Sequence, residues 1–118
     1  MRRRILVLAV GAVLGLVGVQ AAFAAVTSHV SIAYNTKTEF FHGKVSSSNS
    51  ECQSGRTVRL YKKISSGSSL EGKTLSTKSG GWKIQVMHAH GHYFARIPTQ
   101  KIMNTSCGGA KSKTIDVM

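Results

Sequence analysis

Acidic residues are scarce in this chain, and their scarcity removes whole classes of function. Glu39, Glu51, Glu71 and Asp116 are its four carboxylates, and they are scattered. No adjacent pair suits general acid–base catalysis or glycoside hydrolysis. Serines are abundant but sit in polar loops, and no G-x-S-x-G elbow raises one of them as a nucleophile. With only two cysteines and no C-x-x-C pair, a redox role has no motif to rest on. No nucleic-acid-binding signature is present. After the first 26 residues no helical stripe of apolar side chains occurs. These absences together predict a protein that is not an enzyme.

What is present begins with an export signal. Arg2-Arg3-Arg4 form a positive n-region, Ile5 to Val19 an unbroken apolar run, and Ala22-Phe23-Ala24 an A-x-A cleavage site. The reading is a signal peptide over 1–24, cut after Ala24, so that the membrane is met only through this segment. The alternative is an uncleaved anchor, because the apolar character continues to Val26 with only Gln20 interrupting. Cleavage leaves 94 of 118 residues, enough for one domain and too few for two. It also takes three arginines, so the 16 basic residues fall to 13 against 4 acids, a net charge near +9. Such a surface favours anionic partners, namely polymers of the cell envelope or the surrounding medium. A solubilising coat of lysine is the plainer alternative.

Two cysteines in an exported chain are most simply one disulfide, Cys52–Cys107. The loop it closes spans 55 positions, for which the chain-entropy model gives about 4 kcal/mol of stabilisation. This is comparable with the whole net stability of a domain this small, about 5–10 kcal/mol. The bridge is therefore structural, and it leaves no thiol nucleophile.

The rest reads as short strands separated by Ser, Gly and Asn clusters. Residues 25–38 form an N-terminal segment in which Val30, Ile32 and Tyr34 alternate as a first strand. From 39 to 118 the pattern is that of a β-sandwich. Phe41, Gly43 and Val45 share one side of a strand; Val58 and Leu60 share one side of the next. Ser65 to Ser69 is expected to be a loop and Lys73 to Lys78 a strand. Ser79-Gly80-Gly81 is expected to close a tight hairpin onto Trp82, Ile84 and Val86. Trp82, Val58, Leu60, Ile84, Val86, Ile97 and Ile115 are the predicted core.

The order Gly43-Lys44-Val45, Gly55-Arg56-x-Val58-x-Leu60, Thr77-x-x-Gly80-Gly81-Trp82-x-Ile84 and Gly91-x-Tyr93-Phe94-Ala95 resembles the carboxypeptidase-regulatory-like, transthyretin-like β-sandwiches. Small secreted bacterial proteins of that type are the nearer likeness, and it spans residues 39 to 117. The resemblance implies a seven-stranded, prealbumin-like sandwich, with one cysteine before the second strand and one before the last. It also implies a non-enzymatic accessory or adhesion module. One turn departs from the family. Where acidic residues are often found, this chain has Lys78-Ser79-Gly80-Gly81, which removes the basis for a calcium role there.

Two constellations are candidates for binding. In His88-Ala89-His90-Gly91-His92 an extended backbone would project three imidazoles from one face, with His42 as a fourth ligand and His29 a looser one. Such a set would suit zinc or copper. The plain alternative is a solvated loop, since Gly91 invites a bend that would part the three. The second candidate is a basic face of Arg56, Arg59, Lys63, Lys83 and Arg96 on the outer sides of strands, with Tyr61 and Phe94 beside them. It would bind polyanions in a salt-sensitive way. Strand edges kept apart by lysine are the alternative there.

Overall fold

Apolar and polar side chains that alternate along many short strands can bury one set only if two sheets pack face to face. This is the arrangement found. The structure is a computed structural model describing residues 24–118. The signal segment expected over 1–24 therefore lies, apart from Ala24, outside the described residues.

Eleven strands are present among the described residues: β1 (Ser28–Val30), β2 (Ala33–Asn35), β3 (Phe40–Ser47), β4 (Thr57–Ile64), β5 (Gly67–Leu75), β6 (Gly81–Gln85), β7 (Gly91–Ile97), β8 (Gln100–Ile102), β9 (Thr105–Cys107), β10 (Ala110–Lys111) and β11 (Ile115–Val117). A 3-10 turn, Ser50–Cys52, interrupts them, capped where the Asn49 side chain accepts the Glu51 N–H. In the first sheet β3 carries β1 and β2 along one edge and β6 along the other. In the second, β7 lies between β4 and the pair β10 and β11, with β5 beyond β4. β8 and β9 form a separate hairpin. All these pairings are antiparallel.

The strand count exceeds the expected seven partly because two edges are broken by serine. Ser31 donates its N–H to the Lys44 carbonyl, but the Lys44 N–H returns to the Ser31 hydroxyl (2.9 Å) instead of to its carbonyl. That carbonyl is taken by the Trp82 indole N–H at 3.1 Å. Gly43 makes this possible, since a Cβ there would meet the Ser31 oxygen at 1.9 Å. The result is an edge divided into β1 and β2. Ser112 does the same between β10 and β11. Its N–H donates to the Ala95 carbonyl and its hydroxyl accepts the Ala95 N–H, both at 2.8 Å.

Of the predicted core, Val58, Leu60, Trp82, Ile84 and Ile97 are buried, while Val86 and Ile115 are half-buried against it. Val30, Ile32, Phe41, Val45, Ala89, Tyr93, Ala95 and Val117 complete it. Three expectations are corrected. The loop expected over Ser65–Ser69 is only a turn at Ser65-Ser66. Ser68 and Ser69 belong to β5, paired with Lys63 and Lys62, because backbone pairing holds a polar hairpin even where no core lies beneath it. The strand expected over Lys73–Lys78 ends at Leu75. Nor does Ser79-Gly80-Gly81 close a hairpin within one sheet. It carries the chain across from β5 to β6 in the opposite sheet, and the Gly80 carbonyl accepts the Val45 N–H there.

One end of the sandwich is organised by Arg56, whose side chain is fully buried. All five guanidinium N–H groups have acceptors. Nε donates to Gln100 Oε1, Nη1 to the Ser28 hydroxyl and the Cys52 carbonyl, and Nη2 to the carbonyls of Pro98 and Gly108, at 2.8–3.2 Å. No acceptor is a carboxylate, and burial lowers the arginine's pKa from its ordinary value. The disulfide Cys52–Cys107 (Cα–Cα 5.4 Å) crosses the same region with both sulfurs buried. Val26 joins it through a parallel bridge to Cys107.

Lysine has three donors where arginine has five in a fixed fork. Arg56→Lys is therefore expected to strand at least two buried acceptors, cost about 2 kcal/mol or more and lower the Tm by roughly 8–16 °C. Thermal melting followed by circular dichroism checks this, with Arg59→Lys as a control expected to melt as the parent does.

Candidate functional site

Residues directly opposite one another on neighbouring strands project from the same face of a sheet. On the second sheet Val58 and Leu60 point inward, so Arg59 points outward with its cross-strand neighbours. Those neighbours are Lys73 on β5 and Arg96 on β7, and Arg96 in turn stands opposite Lys111 on β10. The outer face thus carries Lys73, Arg59, Arg96 and Lys111 in register, one cation per strand. Adjacent strands lie about 4.8 Å apart, so the row is about 14 Å long. Like charges directly opposite destabilise a sheet. Among the described residues no lysine or arginine lies within ion-pair distance of a carboxylate. The length of these side chains lets the charges stand further apart than their Cα atoms, which reduces the repulsion without neutralising it.

Beside the row, Tyr61 and Phe94 are cross-strand partners whose rings stack at 5.3 Å and 18°. The Lys111 ammonium lies 4.5 Å from the Phe94 ring centre, which leaves Phe94 only 5% exposed although it faces outward. Recesses mark both ends. One of about 410 Å³ is lined by Arg96, Pro98, Thr99, Gly109 and Lys111. One of about 260 Å³ is lined by Thr57, Lys73, Thr74 and Leu75. A third, of about 410 Å³, opens between the sheets beside Trp82, His42, Lys83 and Leu75.

The expected basic residues are thus only partly brought together. Arg59 and Arg96 are adjacent, and Lys63 lies further along the same strand face as Arg59. Arg56 is not on the surface at all: the strand begins at Thr57, and the residue before it turns into the interior, where neutral acceptors surround it. Lys83 projects from the other sheet, its ammonium 5.2 Å from the Phe40 ring. Lys73 and Lys111 complete the row; the sequence had Lys111, with Lys113, extending the charge near the end of the chain, and left Lys73 out. Lys73 is odd-numbered like Arg59 and falls on a strand. Their alignment, however, depends on a register shift at Leu60/Tyr61 that no local pattern announces.

The histidines are spread out. His88 sits in a turn with φ of 56°, its N–H donating to Glu39 Oε2 at 2.7 Å, and its imidazole faces the same carboxylate at 3.9 Å. Ala89 turns into the core and Gly91 adopts a φ of 115°, which breaks the alternation that would have aligned three imidazoles. His92 lies on β7 with Nδ1 3.7 Å from Asp116. His90 is exposed, and its carbonyl accepts the Tyr93 hydroxyl at 3.2 Å. The pKa of Tyr93 is raised, chiefly by burial. His42 stands opposite Lys83 on the other sheet, and His29 is on β1. Among the described residues no three His, Cys, Asp or Glu side chains stand close enough to hold a metal ion.

No protein-family model, curated protein or solved structure matches this chain. The functional reading therefore rests on the geometry of the face.

Because His88 and His92 each face a different carboxylate with no third donor beside them, zinc or copper is expected to give only a weak heat in calorimetry, which His88→Ala and His92→Ala each lower in part. A sub-micromolar site lost on either change would show that the segment rearranges around a metal.

Proposed function

We propose that this chain is an exported, non-enzymatic binding module of transthyretin-like type. Its outer sheet face contacts an anionic polymer of the cell envelope or the surrounding medium. The observation carrying this reading is the in-register row Lys73–Arg59–Arg96–Lys111, four cations with no carboxylate within ion-pair distance. Their mutual repulsion works against folding and falls when a polyanion lies along them. The net charge of about +9 on the chain after the signal segment adds long-range attraction of the same sign. A fully buried disulfide in a small all-β domain is compatible with an extracellular or envelope setting. The signal segment over 1–24, cut after Ala24, supplies the route out.

Four neutralised charges on a linear polyanion release counterions with a slope of about −0.7 per charge. The affinity is then expected to fall about 50-fold between roughly 50 and 200 mM salt. Retention on immobilised anionic polymer at graded salt measures this slope. Binding indifferent to salt, or unaffected by Arg59→Glu with Arg96→Glu, would remove the reading.

A further inference from the structure

We infer that the polymer taken by this face is an acidic glycan of the polyuronate kind, a sugar chain with one carboxylate per residue, lying across the strands. The inference rests on the polyanion reading above and narrows it. Apart from Lys63, which stands beyond Tyr61 on β4, the cations are one residue deep and run perpendicular to β4, β5, β7 and β10, so the face presents a line more than a patch. Their spacing is set by the sheet at about 4.8 Å, close to the advance of one pyranose in an extended chain. Four cations thus meet about four sugars. Lysine and arginine are long enough to reach carboxylates on either flank of a sugar chain, and the two central arginines offer planar forks that fit a carboxylate bidentately.

The flanks of the row argue for sugar. On one side run Leu70 and Tyr61, on the other Thr57 and Leu75; both leucines are more than half exposed. These apolar and hydroxyl-bearing strips suit the C–H faces and hydroxyls of pyranose rings, and a bare polyphosphate has nothing to place on them. Single-stranded nucleic acid needs open aromatic faces on which bases stack. Here Phe94 is closed between Tyr61 and Lys111, and one face of Tyr61 is closed by Phe94.

The test uses protein purified from cells expressing the full chain and measures binding of labelled oligogalacturonates of two to eight sugars. Polyphosphate, single-stranded DNA, phosphatidylglycerol vesicles and neutral dextran serve as comparisons at matched charge or mass. Affinity for the oligogalacturonates is expected to climb to about four sugars and then level off. Arg59→Gln with Arg96→Gln is expected to weaken it about tenfold, and Lys37→Gln with Lys101→Gln, off the row, to leave it unchanged. Should polyphosphate, DNA or vesicles bind as tightly per charge, the glycan assignment falls while the polyanion face stands. If no anionic probe binds in a salt-sensitive way, both fall.

Discussion

A single guanidinium holds one end of this molecule in shape. Arg56 reaches β1, the 3-10 turn, the segment after β7, the start of β8 and the loop after β9, and gives a hydrogen bond to each. The carbonyls of Cys52, Pro98 and Gly108 lie outside the strand ladders, and the arginine supplies the donors that a ladder would supply elsewhere. Burying a cation among neutral acceptors is costly, and the geometry offsets that cost by leaving none of the five donors without an acceptor. The disulfide acts on the same loops by a different route, since it limits the unfolded chain while the arginine orders the folded one. The backbone N–H of Arg56 donates to Ser76 Oγ, and the Ser76 N–H to the Arg56 carbonyl. The chain leaving β5 is thereby fixed before it crosses to the opposite sheet.

The cationic row depends on that order. Lys73 and Arg59 face each other because β5 pairs with β4 through a register shift, and Arg96 and Lys111 because β10 returns along β7 from the loop that Arg56 and Cys107 pin down. A sheet whose register could slip would relieve the repulsion by moving one strand. The inward residues forbid it, since a slip of one residue would turn Leu60 and Ala95 outward. Packing on one face therefore maintains an electrostatic strain on the other. A surface whose cationic side chains are rooted in a register that cannot slip is already organised for a ligand of matching spacing.

Much of this is legible in the sequence. The two-residue period in Trp82–Ile84 and Val58–Leu60 gave the inward rows, and two cysteines in a chain expected to be exported gave the bridge. What was hidden depends on contacts distant in sequence. Arg56 follows a Ser-Gly turn and carries a permanent charge of a kind almost never fully buried without a partner, so local reading places it in water. Only the convergence of five segments makes the interior hospitable. The His-x-His-x-His segment illustrates the converse. Its spacing promised a shared face, but Ala89 has a place in the core and Gly91 accepts the backbone twist this requires, and tertiary packing overrides the period. The serine breaks in β1–β2 and β10–β11 were likewise silent, because a hydroxyl substituting for a carbonyl depends on what the partner strand offers.

The contact between the indole of Trp82 and the Ser31 carbonyl has a practical corollary. This is the chain's sole tryptophan, shielded at 4% exposure with its N–H engaged across the sheet edge. Its emission therefore belongs to one known environment, blue-shifted and poorly accessible to quenchers while β1 and β2 remain zipped to β3. Separation of that edge would be visible as a red shift, so the zipping of β1 and β2 onto β3 can be followed without an added label.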